Sequence, residues 1–154
     1  MIESSNGITG LQLSLPNIFV PFGIDVAQFC ILMKQSHVHK VTNMYYTIKA
    51  TLPTGLECHV GFHFSPQLQV FEFFMGKEFY KTKKTSVDAY HVMQKFLVTT
   101  YGNPTTVIES KDVNYDAGCA KCQWDLGNDV YIFNYVMERF GLENRCGLYL
   151  NVNK

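Results

Sequence analysis

The sequence predicts an α+β domain: an antiparallel sheet of about six to seven strands with two helices packed on one face. The expected order is helix, three strands, helix, then three or four strands. Three observations carry this. Two stretches place apolar residues at helical spacing between cap signals. The remaining apolar runs are short and alternate with period two, bounded by Gly, Pro, Asn or Asp. Helical crossovers of the kind that link parallel strands are missing, so the strands are expected to pair antiparallel.

The 154 residues have the size of one domain, with residues 1–10 expected to fray. Leu11, Leu13 and Leu15 alternate with polar residues and suggest a short edge strand ended by Pro16; Asn17–Gly23 reads as a loop. Asp25 can cap a helix over 26–36, because its carboxylate accepts free amide hydrogens of the first turn. Val26, Phe29, Cys30 and Met33 form its stripe. His37 and His39 then fall in a loop. The strand 44–52 carries the apolar row Met44, Tyr46, Ile48 and Ala50. Pro53-Thr54-Gly55 makes a turn. The strand 56–64 carries Leu56, Cys58, Val60, Phe62 and Phe64. After Ser65-Pro66-Gln67 the row continues as Leu68, Val70 and Phe74, with Glu72 as its exception.

The second helix opens at Thr85-Ser86-Val87-Asp88, with a hydroxyl cap and an acid in the first turn. Ala89, Val92, Met93, Phe96, Leu97 and Thr100 form its inner stripe, and Gly102 followed by Pro104 stops it. A short strand 105–109, a loop 111–118 and the strands 121–126, 130–138 and 145–152 complete the chain.

Asp129–Arg139 is the stretch on which the functional reading turns. Val130, Ile132 and Val136 alternate with Tyr131, Phe133, Tyr135 and Met137, so both faces are apolar, whereas a half-buried strand alternates with polar residues. Two registers are open. If Gly127-Asn128 is a strict two-residue loop, Trp124 faces Tyr131 and the aromatic row is core. If Asp129 joins the turn, Trp124 faces Ile132 and the aromatic row is outer surface. The second is preferred, since it sets Leu126 beside Val130 and keeps Gln123 and Asp125 off the aliphatic core.

Composition narrows the partner. Thirteen basic and 13 acidic side chains give zero net charge, and Lys81–Lys84 is the only basic cluster, so nucleic acid is not expected. No run approaches the ~20 apolar residues of a membrane span, and no signal peptide is read. Five scattered cysteines, an odd number, suggest free thiols and a reducing cytoplasm.

Chemical motifs are sparse. Cys119-x-x-Cys122 is a single pair, and zinc needs about four ligands. His59 and His63 share a strand face but stand four apart, about 13 Å, too far for one ion. Cys58 and Cys146 lack a positioned base. No catalytic residue, metal or cofactor is therefore assigned. The alternative is a small-molecule or metal-binding domain, or an enzyme, using Glu57, His59 and His63 on the polar sheet face. The preferred reading is protein binding by the open sheet face. Its anchors are Tyr131, Phe133, Tyr135, Arg139, Phe71, Phe73 and Tyr45, with His59 and His63 adding polar contacts and Tyr149 and Arg145 nearby. Large rings with polar handles are enriched where proteins meet. A homodimer through the same face is the other occupant.

One resemblance bears on the partner. Tyr101-Gly102-x-Pro104, Trp124 with its Gly127-Asn128 turn, Val130-x-Ile132 and Arg139-Phe140-Gly141-Leu142-Glu143 resemble small bacterial proteins. Among these are immunity proteins of polymorphic-toxin and contact-dependent inhibition systems. The resemblance spans the C-terminal third of the chain. It implies a cytoplasmic, non-enzymatic inhibitor that binds a cognate toxin domain. The neutral charge departs from the acidic inhibitors of nucleases, which makes a basic nuclease a less obvious target.

Overall fold

The computed structural model describes residues 8–76, 79, 86–108, 119–127, 130–137 and 143–150. Leu11, Leu13 and Val20 give the first apolar rows, in a hairpin of β1 (Gly10–Leu13) and β2 (Ile18–Pro21). Asp25 then caps α1 (Val26–Leu32): Gln28 N–H donates to its carboxylate at 2.8 Å, and Gln28 Oε1 accepts from Asp25 N–H at 2.9 Å. The helix stops at Leu32, before the expected 36. Beyond Met33 the chain offers Lys34, Gln35 and Ser36, none of which has an apolar side chain to hold another turn against the core. Four strands follow, β3 (His39–Thr42), β4 (Tyr45–Thr51), β5 (Glu57–Phe64) and β6 (Leu68–Phe74). The second helix, α2, is Ser86–Tyr101, and four more strands complete the chain: β7 (Thr106–Ile108), β8 (Cys119–Asp125), β9 (Val130–Met137) and β10 (Glu143–Leu150).

Strands β3 to β10 form one antiparallel sheet in the order β3-β4-β5-β6-β10-β9-β8-β7. The order is a palindrome. Each half is a helix followed by a four-strand meander, and the halves meet where β6 pairs β10, with Phe73 opposite Cys146. The turns correspond too: Leu52 N–H donates to Leu56 O at 2.8 Å, and Leu126 N–H donates to Val130 O at 3.0 Å. The fold is thus α+β with a large antiparallel sheet and two helices, but the sheet has eight strands rather than six or seven, because β3 adds an edge.

One sheet face is the core. Tyr46, Phe62, Phe71, Leu148, Ile132 and Trp124 align across six strands, each paired with the next, and all are buried. Phe29 of α1 sets its ring 4.8 Å from Phe62, 5.3 Å from Phe64 and 5.4 Å from Tyr46. Phe96 of α2 meets Phe73 edge-on at 5.5 Å, and Phe22, after the hairpin, meets Phe71 at 4.9 Å. Both helices and the hairpin therefore cover the same face. Burying a ring of this size is worth roughly 1.5–3 kcal/mol.

The hairpin register is settled by pairing: Trp124 lies opposite Ile132 and Asp125 opposite Tyr131. This is the second of the two registers, and Tyr131 and Phe133 of β9 point away from the core. Trp124, 1 % exposed, donates its indole N–H to the Gly102 carbonyl at 2.8 Å. The stop signal of α2 thereby also satisfies the polar atom of the largest buried ring.

Three further expectations are corrected. Phe71 and Phe73 are both 0 % exposed and lie in the core, not on the open face. The cause is a bulge: His63 pairs Val70 while Phe64 pairs Leu68, leaving Gln69 as the extra residue. A one-residue insertion exchanges the two faces of everything after it. Val70, Glu72 and Phe74 turn outward, and Glu72 ceases to be an exception. Second, residues 18–21 are a strand, not a loop. Third, His39 belongs to a strand; β3 is exposed at every position and so has no apolar alternation to read.

Candidate open-face site

The face opposite the helices is built by the odd-numbered positions of β4 and β5, the even-numbered positions of β6 and, among the described side chains of the other half, Gln123, Asp125, Tyr131, Phe133, Gly147 and Tyr149. Three cross-strand rows follow from the register. The first runs Tyr45, His63, Val70, Tyr149, Tyr131, Asp125; the second Thr47, Gly61, Glu72, Gly147, Phe133, Gln123. In the third, Lys49, His59 and Phe74 lie side by side. None of the described elements packs on this face.

Its first half is a polar cluster. His63 Nε2 lies 2.9 Å from Glu72 Oε1, and the Tyr45 hydroxyl donates to the same oxygen at 3.4 Å. The Tyr45 and His63 rings stack with centroids 4.2 Å apart and 14° between planes. The cluster is half-open, with His63 39 % and Glu72 26 % exposed, so the contact is screened by water and modest in strength. Desolvation raises the Tyr45 pKa above its ordinary value, and the Glu72 charge and hydrogen bond add to that. Tyr45 therefore remains a protonated donor. His59 is elsewhere: it stacks on Phe74 at 5.2 Å.

The second half is a stack of rings. Tyr149 lies between Tyr131, at 5.3 Å and 14°, and Phe133, at 4.9 Å and 24°. Glycine makes room for both halves. A Cβ at Gly147 would stand 2.5 Å from Tyr149 Cε1, and one at Gly61 would stand 2.8 Å from Tyr45 Cε1. Each tyrosine thus leans into space that only glycine leaves, on either side of Glu72.

The face brings together Tyr45, His59, His63, Tyr131 and Phe133 from the expected set. Tyr135 pairs Arg145 and Lys121 by its backbone; its side chain, and Arg139 altogether, lie outside the described residues. Glu72, Phe74 and the two glycines were missed as site residues. The one signal for Glu72 was its break in an apolar row.

His63 is paired with Glu72, while Glu57 and His59 are on other rows or partners, and among the described residues no three His, Cys, Asp or Glu groups gather to hold a metal. Cys122 is buried on the core face, where Gln94 Nε2 donates to its sulfur at 3.2 Å; the Cys119 side chain lies outside the described residues. Burial pushes the Cys58 thiol up to about 12 and the Cys146 thiol well above its ordinary value. Neither supplies a thiolate near neutral pH, which a cysteine nucleophile requires. No described helix is long and apolar enough to cross a membrane. The chain matches no protein-family model, no curated protein and no solved structure.

Proposed function

We propose that the protein is a non-enzymatic binding module, and that it acts as a cytoplasmic immunity protein whose open sheet face holds and neutralises a cognate bacterial toxin domain. The observation that carries this reading is the Tyr131–Tyr149–Phe133 stack beside the Tyr45–His63–Glu72 cluster, on a face that no described element covers. Stacked rings fixed by their neighbours offer area at low entropic cost, and an adjacent carboxylate–imidazole pair offers direction. A second copy of the chain is the competing occupant of the same face.

The test needs a toxin domain encoded beside this gene, which the reading expects. Cells producing that domain survive when the protein is co-produced, and a Tyr131→Ala, Phe133→Ala double variant loses the protection while unfolding within a few degrees of the parent. Undiminished protection by the variant removes the face from the interface. A stable dimer that buries Tyr131 and Phe133 between copies defeats the reading outright.

A further inference from the structure

We propose that the edge of β4, at the border of the open face, carries a second binding site for a short free peptide of about two or three residues in extended form. The argument starts from backbone alternation. Leu52 N–H donates toward β5, to Leu56 O. Thr51 turns the other way: its N–H donates to Leu15 O at 2.9 Å, and its carbonyl accepts from Leu15 N–H at 3.1 Å. Alternation in an antiparallel ladder then turns the N–H and C=O of Lys49 to the same outer side, along with those of Thr47. Thr47 is met there by His39 of β3. Lys49 is met by no main chain among the described residues. A longer β3 would bring His37 opposite it, but the chain turns off at Ser36–Val38, where Val38 N–H donates to Ser36 O at 3.1 Å. On the other side the hairpin leaves β4 at Pro16, directly after Leu15.

The gap between Thr47 and Thr51 spans roughly 14 Å and opens on a cavity of about 530 Å³. Leu15 and Pro16 form one wall, and Gln35 to His37 the other. Two features select the occupant. The bridged segments at both ends block a strand that runs through, so a loop of a large protein does not fit and a short chain with free ends does. Both bridging segments run antiparallel to β4. A peptide in the same direction points its N-terminus toward Thr51 and its C-terminus toward Thr47. Glu57, paired with Thr51, stands at the first end with a carboxylate for the ammonium. His37 and Lys49 also line the cavity, Lys49 midway between the two ends, and supply the basic groups for the peptide carboxylate. Floor and ends together fit a zwitterionic di- or tripeptide.

The probe is trialanine, with N-acetyl-trialanine amide as its capped form, titrated into the isotope-labelled full chain and followed by amide resonances. Trialanine is expected to bind one-to-one, with the Lys49 amide among those that shift most. Capping both ends, or the exposed substitution Glu57→Gln, is expected to weaken binding at least about tenfold. Absence of a saturable shift at Lys49 overturns the proposal. So does equal affinity of the capped peptide, or of the Glu57→Gln variant.

Discussion

The two halves of the molecule share a plan and fill it differently. In the first half α1 closes the sheet with one aromatic anchor, Phe29, among Tyr46, Phe62 and Phe64. In the second half α2 closes it with a buried polar network. Asn134, 0 % exposed, donates from Nδ2 to the Tyr90 carbonyl and to Gln94 Oε1, both at 3.1 Å. Gln94 in turn donates to Cys122, and the Tyr90 hydroxyl lies 3.4 Å from the same sulfur. On the open face the roles reverse: the first half presents hydrogen-bonding groups, the second mainly ring area. Backbone topology therefore does not dictate which face carries polarity. Each half places its polar groups where partners within reach satisfy them, and buried polar groups need such partners more than exposed ones do.

The largest way to break this comparison is to remove the aromatic anchor. Phe29→Ala should cost about 3–5 kcal/mol, the usual loss for a buried ring whose cavity cannot collapse, read as a fall in denaturation midpoint at unchanged slope. Removing the polar anchor should cost less and in a different manner. Asn134→Ala should lose about 1–3 kcal/mol by stranding Gln94. Combining Asn134→Leu with Gln94→Leu should recover part of that, because replacing both partners with apolar groups leaves none unsatisfied. A double-mutant cycle that shows simple additivity would refute the network.

Alkaline pH sharpens the contrast through the buried thiols. A thiol is neutral when protonated, so a raised pKa means that the folded chain keeps the proton longer than the unfolded one. Cys58 rises from 9.0 to about 12, and Cys146 shifts in the same direction. Stability should thus be indifferent to these groups below pH 9 and fall above it, by about 1.4 kcal/mol per unit for each group. Cys58→Ala should flatten part of that slope between pH 9 and 11; an unchanged slope would show that other groups set it.

The glycine pair gives the smallest effect on stability. Gly147→Ala should push Tyr149 off its stack and cost under about 1 kcal/mol, since the far end of a ring can move where backbone cannot. Affinity for the proposed partner of the open face should nevertheless fall clearly. Gly61→Ala should act likewise on Tyr45.

Much of the fold is readable along the chain because its signals are local. Asp25 with Gln28, and Gly102 with Pro104, mark helix ends within a few residues. Leu126 beside Val130 sets a hairpin register from one turn. What could not be read depends on events between distant segments. The bulge at Gln69 is invisible in β6 alone, since Leu68, Val70 and Phe74 alternate as well as Phe71 and Phe73 do. Pairing with β5 decides between them. The same slip hid Glu72 as the partner of His63, nine residues away. β3 was missed because an exposed edge strand buries nothing, and β2 because Pro16 and Pro21 framed it as a loop.

Phe73 and Phe133 test the central claim most directly. Both are phenylalanines in interior strands of one sheet, on opposite faces. Unfolding by guanidinium of Phe73→Ala and Phe133→Ala should show a loss of about 3–5 kcal/mol for the first and at most about 1 kcal/mol for the second. Equal losses would mean that the Phe133 face is core, and the open-face account would fall.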